Sequence, residues 1–203
     1  MTIPALLSHF GIDAKRYVTS EGRVIFDGVT ASGGSASHPI YGAVTPVANH
    51  HFHGDENEPE NERTSTAWWR DSDKLARHDN AVKGAFPGFA LSSSEEAPPA
   101  WVGVIDTGRG RFKIGVCTRW DEGLPSVFLI NGPRLGVPAG RRWIHSPHLY
   151  LNGTLCVAER DDWHPGEHTV ATAIAWAAHW LAAYTDWRIS RRWPVEGVQI
   201  DAA

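Results

Sequence analysis

Three extended segments in close order constrain this chain more than any other feature. Trp101–Asp106 leads into the turn Thr107-Gly108-Arg109-Gly110, and Arg111–Thr118 follows with Phe112, Ile114 and Val116 on one side. Pro125–Ile130 is the third, closed by Asn131-Gly132-Pro133. Alternation at period two marks strands with one buried face, and turns this short join only antiparallel neighbours. The spacing therefore predicts an antiparallel meander, with His148–Leu151 as a fourth extended piece.

Helices are expected on both sides of it. Leu75, Ala76 and Val82 give a helical spacing over Asp71–Ala85, with Asp71 or Ser72 as N-cap. Phe86-Pro87-Gly88-Phe89 ends that helix, because proline disfavours helical geometry before it and has no amide to donate. After Pro165, which suits a first helical turn, Val170, Ile174, Ala177, Leu181 and Tyr184 form one stripe. Trp176, Trp180 and Trp187 form a second, either core or a face on which another protein docks. Arg188–Gly197 continues the helix briefly or forms a last short element.

Upstream, the chain divides near residue 65. Residues 1–65 read as an N-terminal extension of small α/β character: an apolar segment Ala5–Ile12, strands at Arg23–Asp27 and Ile40–Ala48, and a flexible Ser/Gly/Ala stretch at Ser32–Ser37. Asn49–Glu62 is polar and acidic, and reads as a loop or linker. Residues 66–203 form the second unit, so the fold class is α+β.

Composition excludes several classes. With 42% hydrophobic and 21% charged residues, 203 residues can bury a real core. A net charge of -4 gives no electrostatic grip on nucleic acid or acidic membrane. No apolar run has the length of a membrane span, and the first residues lack the charged start of a signal peptide. Two cysteines make no disulfide framework and fit a reducing, cytoplasmic setting.

One of the two thiols has informative surroundings. Ser146-Pro147-His148 precedes an Asn152-Gly153 turn, then Gly153-Thr154-Leu155-Cys156, then Trp163-His164-Pro165. A thiol on a short extended segment with a hydrogen-bonding side chain upstream suits acyl transfer through a thioester. A free thiol has a pKa of about 8.5, and the few per cent of thiolate at neutral pH suffices if the acyl group arrives activated. One well-placed donor to the oxyanion is worth on the order of 3 kcal/mol. Such a carrier also needs its sulfur within reach of solvent and of the guest's tail.

These motifs resemble the ubiquitin-conjugating family, in which His-Pro-Asn stands eight residues before the cysteine and Gly-x-Ile/Leu-Cys and Trp-x-Pro follow. Pro125-x-Val127 matches its Pro-x-Val. The likeness runs from about Asp71 to Gly197, and two departures stand out: His148 takes the place of Asn, and the cysteine-to-tryptophan spacing is one residue short. Pro-His-Leu-Tyr, Gly-x-Leu-Cys, Ile174-Ala175-Trp176, Trp180-Leu181 and Trp193-Pro194 are closer to bacterial ubiquitin-conjugating-like proteins of antiphage cyclic-oligonucleotide signalling operons. The resemblance implies helix, four-stranded meander, cysteine loop and long C-terminal helix. It implies a thioester through Cys156 with the C-terminus of a ubiquitin-like protein or a cGAS-like nucleotidyltransferase, supplied by a separate activating enzyme or another route. His148 then stabilises the oxyanion, with His145 in reserve. Asp161, Asp162 or Glu159 orients the incoming amine.

Other readings stay open at this point. A binding module could keep the fold without chemistry, and a cysteine hydrolase could pair Cys156 with His148 or His164. Cys117 sits in an apolar strand and reads as structural. His50-His51-x-His53-x-Asp55 has zinc-type donors without the spacing of a defined site. Gly108-x-Gly110 is a hairpin turn and not a phosphate loop, because no helix follows it. No cofactor or metal is therefore expected.

Overall fold

The computed structural model describes residues 15–54, 56–64, 66–132 and 134–194. The segment Ala5–Ile12 lies outside the described residues.

A four-stranded antiparallel sheet holds β6 (Ala90–Ser92), β7 (Ala100–Asp106), β8 (Arg111–Cys117) and β9 (Ser126–Leu129) in sequence order. The register runs Trp101 against Val116, Ile105 against Phe112 and Val116 against Val127. The meander is therefore present, but its fourth strand is Ala90–Ser92 and not His148–Leu151. The latter makes only the isolated bridge Leu149–Leu155, because its next residues are spent in a tight hairpin. Alternation does place Trp101, Ile105, Phe112, Ile114, Val116 and Val127 on the buried face. Burying aliphatic side chains such as Ile114 and Val116 contributes about 1.5–3 kcal/mol each.

Helix α1 (Ser72–Ala85) starts where expected, with the Asp71 carboxylate accepting from the amides of Asp73 and Lys74. It buries Val82 at the same core. Helix α2 (Val170–Ser190) begins later than Pro165 suggested. The turn after Pro165 ends at Thr169, whose side chain caps the helix reciprocally with Thr172. Residues Trp176, Trp180 and Trp187 are at most 5% exposed, so both stripes are core and the docking-face reading of the indoles is overturned. The helix meets the four-stranded sheet on one side and the N-terminal strands on another, so it is apolar nearly all round. It ends at Ser190, and residues 195–197 lie outside the described residues.

Five short strands precede the meander: β1 (Tyr17–Thr19), β2 (Val24–Ile25), β3 (Thr30–Ser32), β4 (Ser35–His38) and β5 (Gly42–Pro46). They form one sheet in the order β2-β1-β5-β4-β3. The Ser/Gly/Ala stretch at 32–37 is thus a β-hairpin, with Gly33 and Gly34 supplying the positive φ that its turn needs. A further hairpin, β10 (Gly136–Ala139) and β11 (Arg142–His145), projects between the meander and the cysteine loop. Val18 and Phe52 join the main hydrophobic core, so the upstream strands brace the same interior.

Candidate functional site

Cys156 sits at the end of a two-armed hairpin that its eight-residue distance from His148 dictates. The amide of Cys156 donates to the His148 carbonyl at 3.1 Å, and Tyr150 N donates to Thr154 O at 3.0 Å. Asn152-Gly153 closes the turn, with Gly153 at φ +87° and Thr154 N donating to Asn152 Oδ1 at 3.0 Å. Residues 148 and 156, 149 and 155, 150 and 154 therefore face one another. Leu155 N donates to Val127 O at 2.8 Å and fixes this hairpin to β9.

The Cys156 thiol donates to the carbonyl of Ala158 at 3.8 Å. Burial pushes the thiol pKa up, hydrogen bonding toward Tyr150 and the His53 backbone pulls it down, and the charges of Glu56 and Glu159 push it up again. The net direction is upward. Burial first, and then Cys156, also raise the Tyr150 hydroxyl, which keeps it protonated and donating. Tyr150 was not singled out from sequence. Its one signal is position, two residues past His148 and directly opposite Thr154.

Contrary to the expectation of a reachable thiol, Cys156 is 0% exposed. Its cover is the segment read as a loop or linker. Although irregular in backbone, this segment is tied down along its length. His51 N donates to Asp162 Oδ2 at 2.7 Å, Leu151 N to Glu56 O at 3.0 Å, and Asn152 Nδ2 to Glu58 Oε2 at 2.7 Å. Arg119, only 3% exposed, donates Nη1 to Pro59 O at 2.8 Å and Nη2 to Glu60 O. A side chain at Gly54 would meet the His148 backbone at 2.7 Å, so the strap lies flat on the cysteine hairpin there.

His148 is buried, with φ +58°, a backbone state few non-glycine residues adopt. Its Nδ1 lies 2.8 Å from the carbonyl of His53. A carbonyl can only accept, so Nδ1 carries the proton. The ring packs against Trp193 at 4.7 Å between centroids, and the indole N–H of Trp180 donates to the His148 carbonyl at 3.0 Å.

The remaining candidates separate. Asp162 accepts from His51 N, from Glu159 N at 3.1 Å and faces His51 Nδ1 at 3.2 Å, so it anchors the strap and closes the short turn Arg160–Asp162. Asp161 and Glu159 are exposed. His145 lies on β11 beside Arg134, and His164 stacks on His168 at 5.6 Å. Cys117 ends β8, half-buried, and burial raises its pKa. The histidines of 50–53 diverge. His50 faces His179 at 3.1 Å, His51 faces Asp162, and His53 lies 3.5 Å from Glu56. Among the described residues, no group of three or more His, Cys, Asp or Glu could hold a metal ion. None of the helices is long and apolar enough to cross a membrane, again among the described residues.

The family model described as type II CBASS E2 protein matches residues 78–200, more than half of the chain. No curated protein and no solved structure matches.

Proposed function

We propose, since this chain belongs to the family of type II CBASS E2 proteins of antiphage operons, that it carries an activated acyl group as a thioester on Cys156. The observation that carries this reading is the hairpin that sets Cys156 opposite His148, with the Cys156 amide on the His148 carbonyl at 3.1 Å and the His148 Nδ1 proton held 2.8 Å from the His53 carbonyl. The order α1, four-stranded meander, cysteine hairpin, α2 agrees with a ubiquitin-conjugating arrangement, and we take residues 66–203 as that unit and 1–65 as its extension.

In the loading step the Cys156 thiolate attacks the activated C-terminal carbonyl of the guest, which arrives as an acyl adenylate or a thioester. A carbon–sulfur bond forms, and the bond to adenylate or to the donor thiol breaks. The thiol proton leaves to solvent. His148 offers its Nδ1 proton to the oxyanion. In the transfer step an amine attacks, with Asp161 or Asp162 taking up its proton, and the thiolate departs. The guest is the C-terminus of a cGAS-like nucleotidyltransferase or a ubiquitin-like protein, delivered in the cytoplasm by a separate activating enzyme or another route. No cofactor enters either step.

Burial of the sulfur favours a second reading, a binding module of the same family that holds a CBASS partner without chemistry. A non-reducing gel of the chain incubated with activated guest separates the two. A thiol-labile adduct, lost in Cys156→Ala, supports the carrier. Its absence, with antiphage protection intact in Cys156→Ala, supports the module.

A further inference from the structure

The strap over Cys156 uses the groups that a guest's tail would need. Its His53 carbonyl sits on His148 Nδ1 at 2.8 Å, the donor assigned above to the oxyanion. Further along, the Glu56 carbonyl takes the amide of Leu151 at 3.0 Å, a main-chain bond of the kind an added extended peptide makes. Gly54 lies between, where no Cβ fits against the His148 backbone.

From this juxtaposition we propose that the strap is an internal stand-in for the guest. The track beneath its described residues, 50–54 and 56–58, is the docking surface for an extended C-terminal peptide, and loading begins with release of the strap. The inference rests on the thioester reading for its guest, but the cover itself does not. An acyl carbon cannot reach a sulfur that is 0% exposed. The strap's side-chain ties to Asp162 and Asn152 are polar and solvent-exposed, a form of closure that opens at small cost compared with global unfolding. Its inner side is held differently, by Phe52 in the core and by His50 against Trp176 and His179. This leaves the stretch from His53 onward as the part that lifts.

The probe is N-ethylmaleimide, applied to the whole chain in a Cys117→Ser background so that Cys156 alone reports. Two variants loosen the strap at different points: His51→Ala with Glu58→Ala removes two side-chain ties and leaves the Asn152 bonds that close the hairpin, and Gly54→Ala forces the strap off the His148 backbone. Circular dichroism and thermal unfolding test first whether each remains folded, and the double variant serves if Gly54→Ala does not. Alkylation of Cys156 should rise roughly tenfold in the variants, the equivalent of one or two exposed hydrogen bonds. With activated nucleotidyltransferase, adduct formation should rise in the same variants. An unchanged alkylation rate in folded variants overturns the proposal, as does faster alkylation with no gain in an adduct the parent chain forms. Faster alkylation with no adduct in any form supports the cover and overturns the thioester reading instead.

Discussion

The indole N–H of Trp180 donates to the carbonyl of His148 at 3.0 Å, and the same carbonyl accepts the amide of Cys156 at 3.1 Å. The long helix thus fixes the cysteine hairpin through one oxygen with two donors. Trp180→Phe removes one of them and leaves a gap in a fully buried site. A loss of about 1–3 kcal/mol is expected in urea unfolding, together with slower adduct formation. Unaltered stability would show that the indole N–H contributes nothing to the hairpin's placement.

Tyr150 acts on the thiol itself. Its hydrogen bond favours thiolate, so Tyr150→Phe should raise the Cys156 pKa further. Iodoacetamide alkylation as a function of pH, in the His51→Ala/Glu58→Ala background, should show its midpoint displaced upward. A midpoint that stays in place would remove Tyr150 from the site.

Buried imidazoles make the fold sensitive to acid. Burial lowers His50 and His78 from 6.5 to about 4, and lowers His179 as well. Between those values the unfolded chain binds protons that the folded chain does not, so stability rises with pH across about 4 to 6.5 and falls on acidification through it. Solvent reaches part of His50, which reduces its share. A loss on the order of 3 kcal/mol is expected from pH 7 to pH 4.5, read as the urea midpoint. A flat profile would contradict it.

Arg119 holds the far end of the strap while pairing with Asp121 at 3.0 Å. The Asp121 carboxyl is partly desolvated, but its hydrogen bonds from Arg119 and the Gly123 amide hold it below its ordinary range. Arg119→Met leaves the Pro59 and Glu60 carbonyls without this donor. About 2–4 kcal/mol of stability should be lost, and N-ethylmaleimide should reach Cys156 faster. A variant as stable as the parent would mean that water takes over those carbonyls.

Local pattern alone determined a good part of this protein. Alternation at Phe112, Ile114 and Val116 named a buried strand face, because side chains in a strand point to opposite sides in turn. Asp71 announced the start of α1, and the interval from His148 to Cys156 with Asn-Gly between them contained the hairpin. Such signals act over a few residues, where backbone geometry leaves few choices. The tertiary structure alone decided which extended piece became the fourth strand, since Ala90–Ser92 finds its partner in β7 ten residues away. It also turned a polar linker into a cover, through contacts such as His51 with Asp162 and Asn152 with Glu58. Those residues lie about a hundred positions apart, and nothing in the local spacing of either one encodes the other. Exposure of a thiol is likewise a property of whatever lies on top of it, fixed only once distant segments have packed.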